Sequence, residues 1–204
     1  IGNGVTTIGD YAFHVCHSLL SVEIPGNVTL IGDYAFAQCG AMSSLTILDG
    51  VTSIGRAAFF LCTNLRWVEI AGSVTTIGDS AFSHCEKMGS LELGRGIATI
   101  GKSAFNSCHV LRNVVIPSSV TVMDDGAFYG CKFLESVTFC GNAPSLGSDI
   151  FYNTTITAYY PTNNPTWTAD VMQDYGGNVT WATYTPDAHD TIDQLTTEDY
   201  LAFS

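Results

Sequence analysis

The chain has 204 residues, enough for one full core or for a repeat array with a cap. Hydrophobic residues make up 46% and charged ones only 13%, which excludes a disordered chain, and a net charge of −12 argues against nucleic acid or an anionic membrane surface as partner. No apolar run approaches the ~18 residues of a membrane span, and no leader pattern stands at the start.

The order along the chain is set by one recurring stretch, Ile77-Gly78-Asp79-Ser80-Ala81-Phe82-Ser83-His84-Cys85. Phe recurs at 13, 36, 59, 82, 105 and 128, and Cys at 16, 39, 62, 85, 108 and 131, every step being 23 residues. So strict a period predicts a solenoid, a stack of one supersecondary unit. The opening Ile1-Gly2-Asn3-Gly4 falls in register with Ile24-Pro25-Gly26-Asn27. The chain is therefore read as starting inside a repeat, as a mature or trimmed fragment would.

Each period divides in two. The first half is Val-Thr-x-Ile-Gly (Val5–Gly9, Val28–Gly32, Val51–Gly55, Val74–Gly78), with weaker copies at Ile97–Gly101 and Val120–Asp124. Its Val, Thr and Ile suit a short extended segment. The Gly is expected to supply a positive-φ turn, with Asp124 tolerating that region in the sixth copy. Next comes x-x-Ala-Phe-x-x-Cys, expected to form one helical or 3₁₀ turn with Ala, Phe and Cys pointing inward. The second half is Leu-x-x-Val-x-Ile, at Leu19–Ile24, Met42–Ile47, Leu65–Ile70, Met88–Leu93, Leu111–Ile116 and Leu134–Phe139. Its last residues alternate as a strand with one buried face does. Stacked at the period, these segments predict a parallel sheet with a coil rise of ~4.8 Å. Phe and Ala columns would form its core.

Six stacked Cys could suggest disulfides. Parallel Cα–Cβ vectors would hold their Cβ atoms ~4.8 Å apart, beyond the ~3.5–4.5 Å a disulfide needs. They read as a ladder of free thiols acting as small apolar residues, and Cys140 has no partner in register. No C-x₂-C pair or interleaved His pattern supports zinc. His14 with Cys16 and His84 with Cys85 look like nucleophile pairs, but these Cys belong to the buried column, so neither metal, cofactor nor catalysis is expected. The glycines punctuate turns and form no phosphate loop.

Beyond residue 140 the pattern decays. Leu146 and Phe151 lie one period after Met123 and Phe128, and Ile156–Tyr160 reads as a strand. Thr168–Tyr175 is expected to be a short helix, with Thr166 or Thr168 as N-cap and Gly176-Gly177 as stop. Val179–Tyr184 reads as a last strand. The expected organisation is six repeats over 1–140 (1–4 being the remnant of a further one), a degenerate seventh repeat and cap over 141–185, and an acidic linker or tail over 186–204.

The pattern Ile-Gly-x-x-Ala-Phe-x-x-Cys-x-x-Leu-x-x-Val-x-Ile-Pro resembles the BspA-like leucine-rich repeat, over residues 1 to about 140. The resemblance implies a right-handed, gently curved solenoid with the Leu-x-x-Val-x-Ile strands on the concave side. It implies an extracellular or cell-surface setting, no shared catalytic residue, and in some members adhesion to host matrix proteins.

Binding residues are sought among the outward x positions of those strands. Trp67 stands in a column otherwise filled by Ser and Asn, with Arg66, Glu69, Glu92 and Arg112 near it. An outward Trp among charges fits a binding hot spot; a Trp lying flat on neighbouring repeats is the structural alternative. The expected partner of the monomer is a host or matrix protein. A glycan stacking on Trp67, or a spacer role with no ligand, is the alternative.

Overall fold

In the computed structural model, which describes residues 1–2 and 4–186, the chain winds through about eight turns of a parallel-strand solenoid. Each of the first seven turns contributes a two-residue strand and a longer one, and the last contributes a longer one. The short strands are β1 (Thr7–Ile8), β3 (Leu30–Ile31), β5 (Ser53–Ile54), β7 (Thr76–Ile77), β9 (Thr99–Ile100), β11 (Val122–Met123) and β13 (Ser145–Leu146), and they form one seven-stranded sheet. The longer ones are β2 (Ser21–Ile24), β4 (Ser44–Ile47), β6 (Trp67–Ile70), β8 (Ser90–Glu92), β10 (Asn113–Ile116), β12 (Ser136–Phe139), β14 (Thr155–Pro161) and β15 (Asn178–Tyr184). Pairing is parallel and keeps the 23-residue step, as in Ile54↔Ile77 and Val68↔Leu91, everywhere but between β12 and β14. The longer strands fall into two four-stranded sheets, β2-β4-β6-β8 and β10-β12-β14-β15. The interruption follows β8, which stops at Glu92 ahead of Leu93-Gly94; glycine weakens an extended segment.

The expected helical or 3₁₀ turn after the glycine is absent: no helix occurs among the described residues. In the second coil Tyr34 (φ 55°) and Gln38 (φ 62°) are left-handed, and the equivalents in the fourth are Ser80 and His84. A helix needs negative φ throughout. Here the chain forms successive β-turns instead, closed by Ala37 N–H to Tyr34 O (3.1 Å) and Cys39 N–H to Phe36 O (3.3 Å). The intervening amides turn along the solenoid axis. Those of Tyr34, Phe36 and Gln38 donate to the carbonyls of Arg56, Ala58 and Phe60 in the next coil, at 2.9, 2.7 and 2.7 Å. Left-handed φ costs an L-residue roughly 1–2 kcal/mol, and the coil-to-coil hydrogen bonds it permits offset that.

The regular spacing of Gly9, Gly32, Gly55, Gly78 and Gly101 also has another cause than the one expected. None has positive φ, nor has Asp124 in the sixth coil. A Cβ on Gly78 would sit 2.7 Å from the carbonyl carbon of Gly55. The column is small because successive coils touch backbone to backbone there.

The core is a set of columns. Phe36, Phe59, Phe82, Phe105 and Phe128 are buried, and the rings from Phe13 to Phe128 stack with centroids 4.9–5.4 Å apart. These separations fit favourable offset stacking. The Ala, Cys, Ile and Val columns flank it.

The last turns depart from the expectation over Thr168–Tyr175, which is no helix. Val171 and Met172 both bond back to Thr168 O at 3.0 Å, Gln173 bonds only two residues back to Val171 O at 2.9 Å, and Tyr175 has φ 46°. Thr166 is no N-cap, because its hydroxyl accepts from Ala143 N–H (2.8 Å) and bonds Asn164 Oδ1 (2.7 Å). Trp167 is buried against Phe139 (4.8 Å) and Trp181 (5.5 Å), its Nε1–H donating to Gly141 O at 3.0 Å. The acidic stretch expected over 186–204 lies, apart from Pro186, outside the described residues.

Candidate functional site

Along β6, Val68 and Ile70 point into the core while Trp67 and Glu69 point outward, as period-two alternation requires. Trp67 is 37% exposed. By register it stands between Ser44 of β4 and Ser90 of β8, both small side chains. Glu69 is paired in register with Glu92 on one side and Thr46 on the other. Like charges directly opposite each other on neighbouring strands are unfavourable, and among the described residues neither carboxylate has an ion-pair partner. Arg66 is exposed just before β6. Its carbonyl accepts from the amides of Gly89 (3.0 Å) and Ser90 (3.1 Å), which fixes its backbone while the guanidinium stays free of ion pairs among the described residues.

Arg66, Trp67, Glu69 and Glu92 thus share adjacent strands of one sheet. Arg112 does not join them. It precedes β10, on the far side of the sheet interruption, and its guanidinium pairs with Glu135. A part-exposed Trp with one cation and two carboxylates that make no ion pair among the described residues can take an apolar anchor and a mixed-charge rim, as interface hot spots do.

The buried cysteine column presents no nucleophile, and Cys16, expected to belong to it, is instead half-exposed at the open first coil. Cys39, Cys62, Cys85, Cys108 and Cys131 are buried free thiols, and each Sγ donates to the carbonyl of the Phe one coil earlier, at 3.1–3.4 Å. Burial pushes the Cys62 and Cys131 thiols up to about 12 and the Cys85 and Cys108 thiols well above their ordinary value. A reactive cysteine needs the opposite shift. The His84 ring sits edge-on against Phe60 at 5.8 Å. Among the described residues no cluster of three or more His, Cys, Asp or Glu could hold a metal ion, and no helix is long and apolar enough to cross a membrane.

One feature was not legible as a site from the repeat. An open cleft of about 400 Å³ lies where the sixth coil meets the seventh, beside Phe133 and Asn153. Its signal in the sequence is a shortened spacing after Phe151.

A family model described as the BspA type leucine-rich repeat region matches residues 1–70 and 52–166 in six copies. Among solved structures, a leucine-rich cell surface protein of Faecalibacterium prausnitzii is 33% identical with a TM-score of 0.66, over 76% of this chain and 43% of that one. A leucine-rich repeat protein of T. pallidum is 32% identical with a TM-score of 0.67, over 73% of this chain and 70% of that one. A third, from Eubacterium ventriosum, is 34% identical with a TM-score of 0.61, over 64% of this chain and 35% of that one. The chain therefore spans less than half the length of the Faecalibacterium protein. No curated protein matches it.

Proposed function

Because this chain belongs to the BspA-type leucine-rich repeat family, a family of bacterial surface proteins, we propose that it is a non-catalytic adhesion module. It acts at the cell surface or in secreted form and holds a host or matrix protein against its longer-strand face. The observation that supports this most is Trp67, an outward indole in a column otherwise of serine and asparagine, flanked by Arg66 and Glu69, neither of them ion-paired among the described residues. Structural surface packing would leave a large neighbour lying against the ring; here the in-register neighbours are Ser44 and Ser90.

Binding of the chain to an array of immobilised extracellular-matrix proteins tests the reading. Trp67→Ala should weaken binding to any captured protein by at least about 30-fold, the ~2 kcal/mol of a hot spot, and leave the unfolding midpoint unchanged. Arg66→Glu should mainly slow association, and added salt should mimic it. Undiminished affinity after Trp67→Ala would refute the assignment of this face.

A further inference from the structure

The register changes once along the longer strands. Met123 still pairs with Leu146, and Phe128 still donates to Ile150 O, both in keeping with the 23-residue step. Ser136, however, pairs with Thr157, only 21 residues on. The two missing residues come out of the corner before the strand. The sixth coil runs Cys131-Lys132-Phe133-Leu134-Glu135 into β12, whereas the seventh passes from Asn153 through Thr154 directly into β14. The sixth corner therefore overhangs a shorter one. The cleft of about 400 Å³ is the space this leaves, with Thr154, Thr155 and the Gly176–Asn178 segment as its floor.

Its lining has a definite chemistry. Phe133 is 55% exposed, while Leu134 beside it is buried, so a single aromatic ring is the apolar wall. Around it stand Lys132, Glu135, Asn153 and Asn178, all exposed. Among the described residues the side chains of Lys132, Asn153 and Asn178 make no hydrogen bond within the protein, and Arg112 engages Oε1 of Glu135. Gly176 and Gly177 keep the floor low: Gly176 has φ +79°, and a Cβ on Gly177 would lie 2.4 Å from Phe151 O.

The geometry points to a carbohydrate site, taking one ring of a neutral glycan. A pyranose offers an apolar C–H face for Phe133 and hydroxyls that donate and accept, which is what two amides, a carboxylate and an ammonium can match together. A wholly apolar ligand would leave those polar groups without partners as it excluded water, and a lining that holds both Lys132 and Glu135 favours neither sign of charge. The volume falls in the range of small-ligand sites. This site is separate from the Trp67 face: it lies on the other four-stranded sheet, at the step from β12 to β14.

Screening the full chain against an array of neutral glycans, followed by saturation-transfer NMR with the hits and with free glucose, galactose, mannose and N-acetylglucosamine, tests the inference. Binding at millimolar sugar or tighter is expected, with transfer strongest to protons of one ring face. Phe133→Ala and Asn178→Ala should each weaken it at least tenfold, with unchanged circular dichroism. Trp67→Ala should leave it intact. The inference fails if no neutral glycan binds, if binding survives Phe133→Ala, or if Trp67→Ala abolishes it.

Discussion

Cysteine at positions 39, 62, 85, 108 and 131 does more than fill volume. The turn amides alternate between local and axial partners, so the Phe59 carbonyl receives the amide of Cys62 at 3.3 Å but no amide from a neighbouring coil. Its second lone pair takes the Cys85 thiol at 3.3 Å. A small apolar residue was legible in the sequence at this place; a donor was not, because that depends on which amides turn along the axis. The thiols also set a pH limit. Unfolded, they lose protons from about their ordinary value of 9.0, whereas burial makes Cys62 and Cys131 hold theirs to about 12. Between these values the unfolded chain binds fewer protons, so stability is full below about pH 9 and falls as pH rises toward 12. Each such thiol contributes a slope of about 1.4 kcal/mol per pH unit. Denaturant midpoints measured from pH 7 to 11 should show the decline, and at pH 8 a thiol reagent should reach Cys16, the one half-exposed cysteine, long before the others. A similar test separates the two accounts of glycine. Gly78→Ala should lower the midpoint strongly because its Cβ meets Gly55 backbone, whereas Gly9→Ala, in the same column with nothing within 4 Å, should be almost silent. Equal losses at both would restore a conformational cause.

At the level of the element, strands were easier to read than turns. Alternation in Val68 and Ile70 follows directly from side-chain polarity, and the 23-residue register brings Trp67 beside Ser90 and Glu69 beside Glu92 without further assumption. The Ala-Phe-x-x-Cys segment misleads because its inward spacing of one and three also fits a helical turn; left-handed Ser80 and His84 carry no compositional mark. The place of Arg112 was illegible for a related reason, since it depends on where the sheet stops after Glu92. Either way the Phe column holds the elements together. Phe82→Ala should cost about 3–5 kcal/mol, as truncation of a buried Phe does. Phe13→Ala, at the 36% exposed end of the same stack, should cost clearly less. Chemical denaturation of both variants checks this, and equal costs would mean that stacking does not run the length of the column.

For the molecule as a whole, each coil rests on its neighbours, and stability is close to a sum of nearest-neighbour terms. The ends then matter most. Residues 141–185 are proposed to act as a cover: Trp167 packs on Phe139, and the Tyr184 hydroxyl donates to Phe139 O at 3.3 Å. Removing residues 141–204 should uncover buried Phe128 and Phe139 and cause aggregation visible by light scattering, whereas a soluble monomer would end the case for a cover. The period made this architecture legible at once, while the shortened corner beside Phe133 leaves only a spacing signal after Phe151, whose meaning comes from the pairing of Ser136 with Thr157. The coil-to-coil hydrogen bonds of the turns, such as Phe36 N–H to Ala58 O, run along the axis. Tension between the two termini therefore loads one rung at a time, and never a whole ladder in shear. Coils should peel off singly at modest force, each paying out about 80 Å of chain at the extended length per residue, so that the molecule yields gradually under drag where a sandwich of the same size would hold and then snap.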